Sequence, residues 1–187
     1  MVELTALLMP IVVSAVIVFV ASSIMHMVLP LHRGDYQKLP DEDKLMDALR
    51  AAGVQPGNYH FPHCASHADM KNPEFQEKVK KGPVGLLNVM SCGGSVSMGK
   101  YLAQWFGLCL VMGLFVAYLC GRTLSAGAPY LTVFRVAGTV AFMGYAGGQV
   151  SDSIWKGQRW STTAKHVFDS LIYGLLTGGT FGWLWPR

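Results

Sequence analysis

The sequence is poor in charged residues, which make up only 14% of its 187 residues. Soluble domains carry about 25%. Its four cysteines show no framework spacing, so a small disulfide-stapled domain is not indicated. Its basic residues are not interleaved with aromatic ones, so we expect no nucleic-acid partner. With 51% apolar residues, this composition indicates an integral membrane protein.

Sequence motifs for known chemistries are also lacking. The chain contains no Gly-rich phosphate loop, no hydrolase nucleophile elbow and no zinc-protease helix motif. It has no internal repeat of the kind that many transporters carry. We therefore expect a protein that is not an enzyme.

Four apolar stretches are each close to the roughly 20 residues that a helix needs to cross a bilayer. They cover approximately residues 4–31, 101–120, 130–150 and 164–185. The predicted fold is mainly α: an integral membrane four-helix bundle with a small α+β insert between the first and second spans. The predicted domains are a first transmembrane helix (1–31), the insert (32–100) and a three-helix transmembrane domain (101–187).

The insert is the one long polar segment of the chain, and helix-capping and turn residues divide it into short elements. Asp41 and Asn72-Pro73 predict two helix starts, whereas Gly53 and Gly82 predict the two helix ends. The predicted elements are a helix over 41–52, a strand over 59–62, a helix over 73–81 and a strand over 84–90. Cys92-Gly93-Gly94 predicts a hinge before the second span.

The basic residues predict how the chain is oriented. Nine of the fifteen Lys and Arg lie in the insert, and Lys156, Arg159 and Lys165 flank the loop that shares its side of the membrane. Arg122 and Arg187 fall on the other side. Cytoplasmic loops carry the excess of basic residues. We therefore expect a cytoplasmic insert and both termini outside, in a plasma or bacterial inner membrane.

Small residues at four-residue spacing predict close helix packing. In lipid, helices associate through backbone approach at Gly and Ala rather than through apolar burial. Such contacts serve either this bundle or another subunit. The predicted packing residues are Gly113, Ala117, Gly144, Gly148, Gly174, Gly178 and Gly182.

Four residues of the insert form a dense set of metal-ligand types: His60, His63, Cys64 and His67. Imidazole and thiolate are ligands for zinc and copper, and spacings of three and four residues can converge on one ion. Pro62 interrupts the set, so the alternative is that these are ordinary surface and turn residues.

His26 and His166 are expected at matching depths, near the insert-side ends of the first and fourth spans. Two histidines on facing helices could ligate haem b, because haem iron accepts imidazole. The alternative is a pair of interfacial histidines with solvated rings.

Arg135 and Asp169 are the charged residues expected within spans, where a charge is costly and often functional. Their depths differ too much for direct pairing, and Arg135 can extend towards the outer interface. Lys165 and His166 lie one turn before Asp169 and explain it as a local helical pair. The alternative is a polar site or an ion pathway.

The sequence therefore predicts a non-catalytic accessory or structural subunit of a larger membrane complex, with energy-transducing complexes as a natural setting. Its partners would be membrane lipids and other membrane protein subunits. One alternative is a membrane redox protein that binds zinc, copper or haem. A second alternative is a small transporter or channel.

Overall fold

The chain is mainly helical: among the residues that the structure describes, 69% are in helices, and there is one small two-stranded sheet. The computed structural model describes residues 1–91 and 98–187, so the predicted hinge at Cys92-Gly93-Gly94 lies outside the described residues. Residues 1–35 and 98–187 form one compact unit, and residues 36–91 belong to a second. In chain order the elements are α1 (Leu8–Ser23), α2 (Glu42–Ala51), β1 (Gly57–Phe61), α3 (Pro73–Lys81), β2 (Gly85–Val89), α4 (Met98–Thr123), α5 (Tyr130–Ala146), α6 (Gln149–Lys156) and α7 (Trp160–Trp183).

The second unit contains the helices and strands that its capping and turn residues predict. The Asp41 side chain accepts a hydrogen bond from the Lys44 backbone N–H at the start of α2, and Asn72 caps α3 through the Glu74 N–H. The strands β1 and β2 pair antiparallel, from Gly57 opposite Val89 to Phe61 opposite Gly85. No residue of α2 or α3 is buried, as expected of a unit too small to build a large core.

The first unit contains the four long helices α1, α4, α5 and α7. A 3₁₀ turn, Leu4–Leu7, leads into α1, and a π-helical turn, Ile24–Val28, continues it. The segments Leu4–Val28 and Met98–Thr123 are long and apolar enough to cross a membrane by length and composition. By contrast, α5 has only 17 residues and α7 carries several polar side chains along its 24.

The predicted boundary between the third span and its following loop is wrong. Helix α5 ends at Ala146 instead of Val150, and residues 149–156 of the expected loop region form α6. An amphipathic turn with an Asp152–Lys156 ion pair of 2.7 Å stabilises this short helix, and Gly157 ends it in the left-handed conformation.

Small residues bring the long helices close together, as predicted. A Cβ on Gly113 would lie 3.2 Å from the Ile11 side chain of α1. Between α5 and α7 the backbones themselves meet, because a Cβ on Gly178 would lie 2.7 Å from the Phe134 carbonyl oxygen. The opposing glycine on α5 is Gly138, which the four-residue pattern did not single out.

Of the five other predicted packing residues, four pack and one does not. Ala117 is fully buried, and a Cβ on Gly144 or Gly182 would come within 3.0 Å of a neighbouring side chain. Gly174 belongs with Gly178 at the contact between α5 and α7. Gly148 is a correction: it lies in the bend before α6, where a Cβ would meet nothing within 4 Å.

Replacing Gly178 by Ala tests the α5–α7 contact. The methyl group would press on backbone atoms, so Gly178→Ala should lower the free energy of unfolding by about 1–3 kcal/mol. Gly148→Ala is the matched control and should be neutral, because its site is open. Unfolding by sodium dodecyl sulfate, followed by circular dichroism, measures both. Equal stability of the two variants would contradict this packing.

Candidate metal centre

His26 lies on the π-helical turn that continues α1. The Leu29 N–H bonds the Ile24 carbonyl oxygen at 3.0 Å, five residues back. This widened turn changes the direction of the side chains relative to a regular helix. Single π turns of this kind occur frequently at functional sites.

His32 lies beside His26 because Pro30 ends the helix and the chain turns back. Leu29 is extended (φ −77°, ψ 144°), and Pro30 to His32 form a 3₁₀ turn. The chain therefore folds back instead of leaving the bundle, and the His32 side chain is only 10% exposed. Position 32 is the first residue of the predicted insert, so a place inside the bundle was not expected for it.

The last two members of the cluster, His166 and Asp169, stand one turn apart on α7. Three-residue spacing places their side chains on one helix face. Asp169 is 2% exposed, and its face of α7 is turned towards the end of α1. A buried carboxylate requires partners of opposite charge, hydrogen-bond donors or a metal ion.

Three histidine nitrogens converge on Asp169 Oδ2. The distances are 3.0 Å from His32 Nε2, 3.7 Å from His26 Nε2 and 3.8 Å from His166 Nδ1. All four ligand atoms lie within 4.8 Å of one another. Ligand atoms on a tetrahedral zinc, with bonds of about 2.0–2.1 Å, stand roughly 3.3 Å apart. The cluster therefore has the donor types and the spacing that a metal ion needs.

The other ring nitrogens of two histidines are held by acceptors. His26 Nδ1 donates to the Ser22 carbonyl oxygen at 3.0 Å, and His32 Nδ1 donates to Asp35 Oδ2 at 2.6 Å. Each bond directs Nε2 of that ring into the cluster. Metal-ligating histidines almost always donate their second N–H in this way to a carbonyl or a carboxylate.

Asp35 is itself held by Lys165, whose Nζ donates to Asp35 Oδ1 at 2.6 Å. The Asp35 side chain is 5% exposed. Burial raises the pKa of Asp35, but the bonds from Lys165 and His32 outweigh it and hold this pKa below its usual value. Asp35 is therefore a carboxylate that fixes the orientation of His32.

Buried polar atoms at the centre lack hydrogen-bond partners. His32 Nε2 and both carboxylate oxygens of Asp169 are buried without a well-aligned hydrogen bond. With Nδ1 protonated, neutral His32 turns a lone pair towards another acceptor only 3.0 Å away. Such a contact requires a cation between the two atoms, either a proton or a metal ion.

The predicted haem pair, His26 and His166, does come together, with ring centroids 6.4 Å apart and an interplanar angle of 20°. His32 lies beside both rings, at 4.2 Å from His26 and 5.4 Å from His166. A porphyrin would have to lie between two imidazoles that share this third neighbour. The geometry therefore favours an ion ligated directly by the side chains.

The structure does not bring the other predicted metal set together. His60 Nδ1 donates to the Pro62 carbonyl oxygen, and the Cys64 thiol donates to the Ser66 carbonyl oxygen. Across residues 1–91 and 98–187, the cluster on α1 and α7 is the donor group found, and it includes neither these two residues nor His63 and His67. Binding of zinc or copper by the insert stays a prediction.

The prediction that Lys165 and His166 both pair with Asp169 is wrong for Lys165. His166 does lie beside Asp169, but Lys165 turns away and bonds Asp35 instead. The nearest nitrogen to Asp169 belongs to His32, at 3.0 Å, and His26 lies as close as His166 does, at 3.7 Å against 3.8 Å. Arg135, the other charge expected within a span, lies on the exposed face of α5.

The sequence therefore indicated His26 and His166 as a pair and Asp169 as a separate intramembrane charge, but it did not indicate His32 as a ligand or Asp35 as its support. The π turn and the bend at Pro30 bring these two residues to the centre, and neither has a distinctive sequence pattern. Comparison of the chain with known protein families, curated proteins and solved structures finds no match. The assignment of this centre therefore depends on its geometry.

Breaking the Lys165–Asp35 ion pair tests whether it stabilises the buried Asp35 carboxylate beside the centre. Lys165→Met leaves the buried Asp35 carboxylate without its cation, so we expect a loss of about 2 kcal/mol in unfolding free energy. Lys156→Met breaks a more exposed ion pair, in which the side chains of Lys156 and Asp152 are 62% and 32% exposed. That control should cost less than about 0.5 kcal/mol. Detergent unfolding measures both, and an equally small effect would show that Asp35 needs no partner.

Proposed function

We propose that this chain is an integral membrane protein with a metal centre made of His26, His32, His166 and Asp169. The observation that carries the proposal is the convergence of three ring nitrogens on one buried carboxylate oxygen. The proposal corresponds to the metal-binding alternative of the sequence analysis, at a different set of residues from the insert motif.

The surface of the long helices supports a membrane location for all four of them. Large apolar side chains are exposed on each, including Val16 on α1, Phe115 on α4, Met143 on α5 and Leu175 on α7. Exposed fractions run from 45% to 66% for these four. A water-soluble protein rarely exposes so much apolar surface, whereas acyl chains cover it in a bilayer. We therefore propose a four-helix membrane bundle with α1, α4, α5 and α7 as its spans.

The donor set favours zinc over copper. Three imidazoles and one carboxylate match the nitrogen and oxygen ligands of tetrahedral zinc. Copper also accepts imidazole, but none of the four donors is a thiolate, the ligand type that would favour its reduced form. We propose zinc as the resident ion. Metal analysis that finds copper instead would overturn this choice.

The chain's own residues prepare the site. Ser22 and Asp35 fix the tautomers of His26 and His32, so that both Nε2 lone pairs face the centre. Lys165 neutralises Asp35, which leaves Asp169 as the carboxylate whose charge remains for the ion. When bound, the ion supplies a Lewis acid at the edge of the bundle.

Metal content is the first test. Protein purified without chelators and supplied with zinc should hold about one ion per chain. Asp169→Asn and His32→Ala should each lose most of that metal, because each removes a ligand. His63→Ala is the control and should retain it, since this histidine lies outside the cluster. Loss of metal in His63→Ala but not in His32→Ala would place the ion in the insert.

The carboxylate behind His32 predicts a graded effect. Asp35→Asn keeps all four ligands but removes the charged acceptor of the His32 Nδ1–H, so zinc affinity should fall about 10- to 100-fold. Asp152→Asn, which removes another Lys-paired carboxylate, should leave affinity unchanged. Competition with a chromophoric chelator measures both constants. Unchanged affinity in Asp35→Asn would mean that His32 is not a ligand.

The accessory-subunit function predicted from the sequence stays a prediction, as do transport and channel activity. A metal centre is compatible with a subunit of a larger complex. Co-purification from native membranes in mild detergent would identify such a complex.

A further inference from the structure

A cavity of about 590 Å³ lies against the metal centre, within the helical unit. His26, His166 and Asp169 form part of its wall. The remaining wall is largely apolar, and α4 contributes the apolar side chains Leu102 and Leu108 to it. Sites for small molecules have this size and this mixture of apolar wall with a few converging polar groups.

The polar end of the cavity contains a hydroxyl group without a partner. Tyr173 is 3% exposed and lines the cavity, and its hydroxyl is buried with no hydrogen bond to the part of the chain that the structure describes. A buried phenol O–H normally finds an acceptor. An occupant that brings an oxygen atom to this end would supply it.

Rigid aromatic side chains form one wall beside that hydroxyl. Trp105 is fixed by the bond from its Nε1 to the Ser22 hydroxyl at 2.7 Å. Its ring lies 6.1 Å from that of Tyr145 and 6.0 Å from that of Tyr173. The polar end is therefore held in shape by contacts between α1, α4, α5 and α7.

The cavity reaches the outer surface of the bundle. Met27 and Met98 line the cavity and are 69% and 59% exposed, and Leu108 is 41% exposed. In a membrane these side chains would contact acyl chains. An occupant would therefore enter from the lipid phase with its apolar part still partly among lipid chains.

The charge at the polar end selects the head group. The Lys165–Asp35 pair is neutral, and a divalent ion exceeds the single negative charge of Asp169, so the occupied centre is cationic. A carboxylate satisfies both the cation and the Tyr173 O–H donor, whereas an ammonium group satisfies neither. A neutral carbonyl satisfies the donor but gains less from the cation.

We propose that this cavity binds a long-chain carboxylate of the fatty-acid type. Its carboxylate joins the four protein ligands as a fifth ligand of the ion, an expansion that zinc permits, and accepts the Tyr173 O–H. Its alkyl chain follows the apolar wall past Leu102 and Leu108. The inference rests on the proposed metal centre, because Asp169 alone would repel an anion. It adds a ligand class to that centre and assigns Tyr173 as a ligand-binding residue.

The test uses the full chain in phosphatidylcholine nanodiscs, loaded with Co²⁺ in place of zinc. Visible absorption of the cobalt reports its coordination, and laurate is the probe. Laurate should change the spectrum saturably. Butyrate should act only at far higher concentration, since it lacks the chain, and dodecyltrimethylammonium should have no effect.

Two variants and one control test whether the change in the cobalt spectrum comes from laurate bound in the cavity. Tyr173→Phe should weaken laurate binding about 10-fold, because it removes one hydrogen bond to a charged group. Leu102→Trp should abolish laurate binding by filling the cavity, and an intact cobalt spectrum shows that the variant is folded. Tyr118→Phe, at a tyrosine outside the cavity wall, should bind laurate as the parent does.

The outcomes separate this inference from the proposed function. If cobalt does not bind, the metal centre fails and the ligand site fails with it. If cobalt binds but laurate leaves its spectrum unchanged, the ligand site alone is overturned. Equal effects of butyrate and laurate would overturn the role of the apolar wall. Equal effects of dodecanol and laurate would overturn the carboxylate head group.

Discussion

The burial of the Asp169 carboxylate is the constraint on which the rest of the site depends. This residue is buried on α7 at 2% exposure, and three imidazoles from two distant parts of the chain converge on it. A buried carboxylate persists only where cations or donors compensate for the loss of water. The cluster, the Lys165–Asp35 pair behind it and the direction of both Nε2 atoms all follow from that requirement.

The bundle provides the geometry that this interaction needs. Glycine contacts between α5 and α7 hold α7 against its neighbour at backbone distance, and α1 packs on both α4 and α7. The chain after α1 then turns back at Pro30, so that residues on either side of the turn face the same carboxylate. A helical frame of this kind positions ligands more firmly than a loop could.

Much of the fold could be predicted from sequence, because its signals are local. Caps at Asp41 and Asn72 and the glycine at position 82 defined the helices of the insert, and short runs of strand-forming residues indicated its two strands, although not their pairing. The end of α5 and the existence of α6 could not be predicted from the hydropathy pattern, since apolar residues continue through the Gly147–Gly148 bend. The hydropathy pattern also gave no sign that Gly148 is free of contacts.

The candidate site was harder to predict because it depends on a change of chain direction. Matching depths correctly suggested that His26 and His166 approach each other, and the cost of a buried charge drew attention to Asp169. His32 was missed because a polar residue after a span normally marks its exit into water. Only the π turn and the bend at Pro30 place it inside, and neither has a distinctive sequence pattern. The dense insert motif was the more obvious metal set, yet His60 and Cys64 bond to nearby carbonyl groups.

X-ray absorption at the zinc edge of the loaded protein tests the central claim most directly, because it identifies the ligand atoms without a variant. The account predicts a first shell of only nitrogen and oxygen at about 2.0–2.1 Å, with the outer-shell scattering of imidazole rings. A sulfur neighbour at about 2.3 Å would contradict it, since that distance requires a cysteine ligand from outside the cluster of three histidines and Asp169.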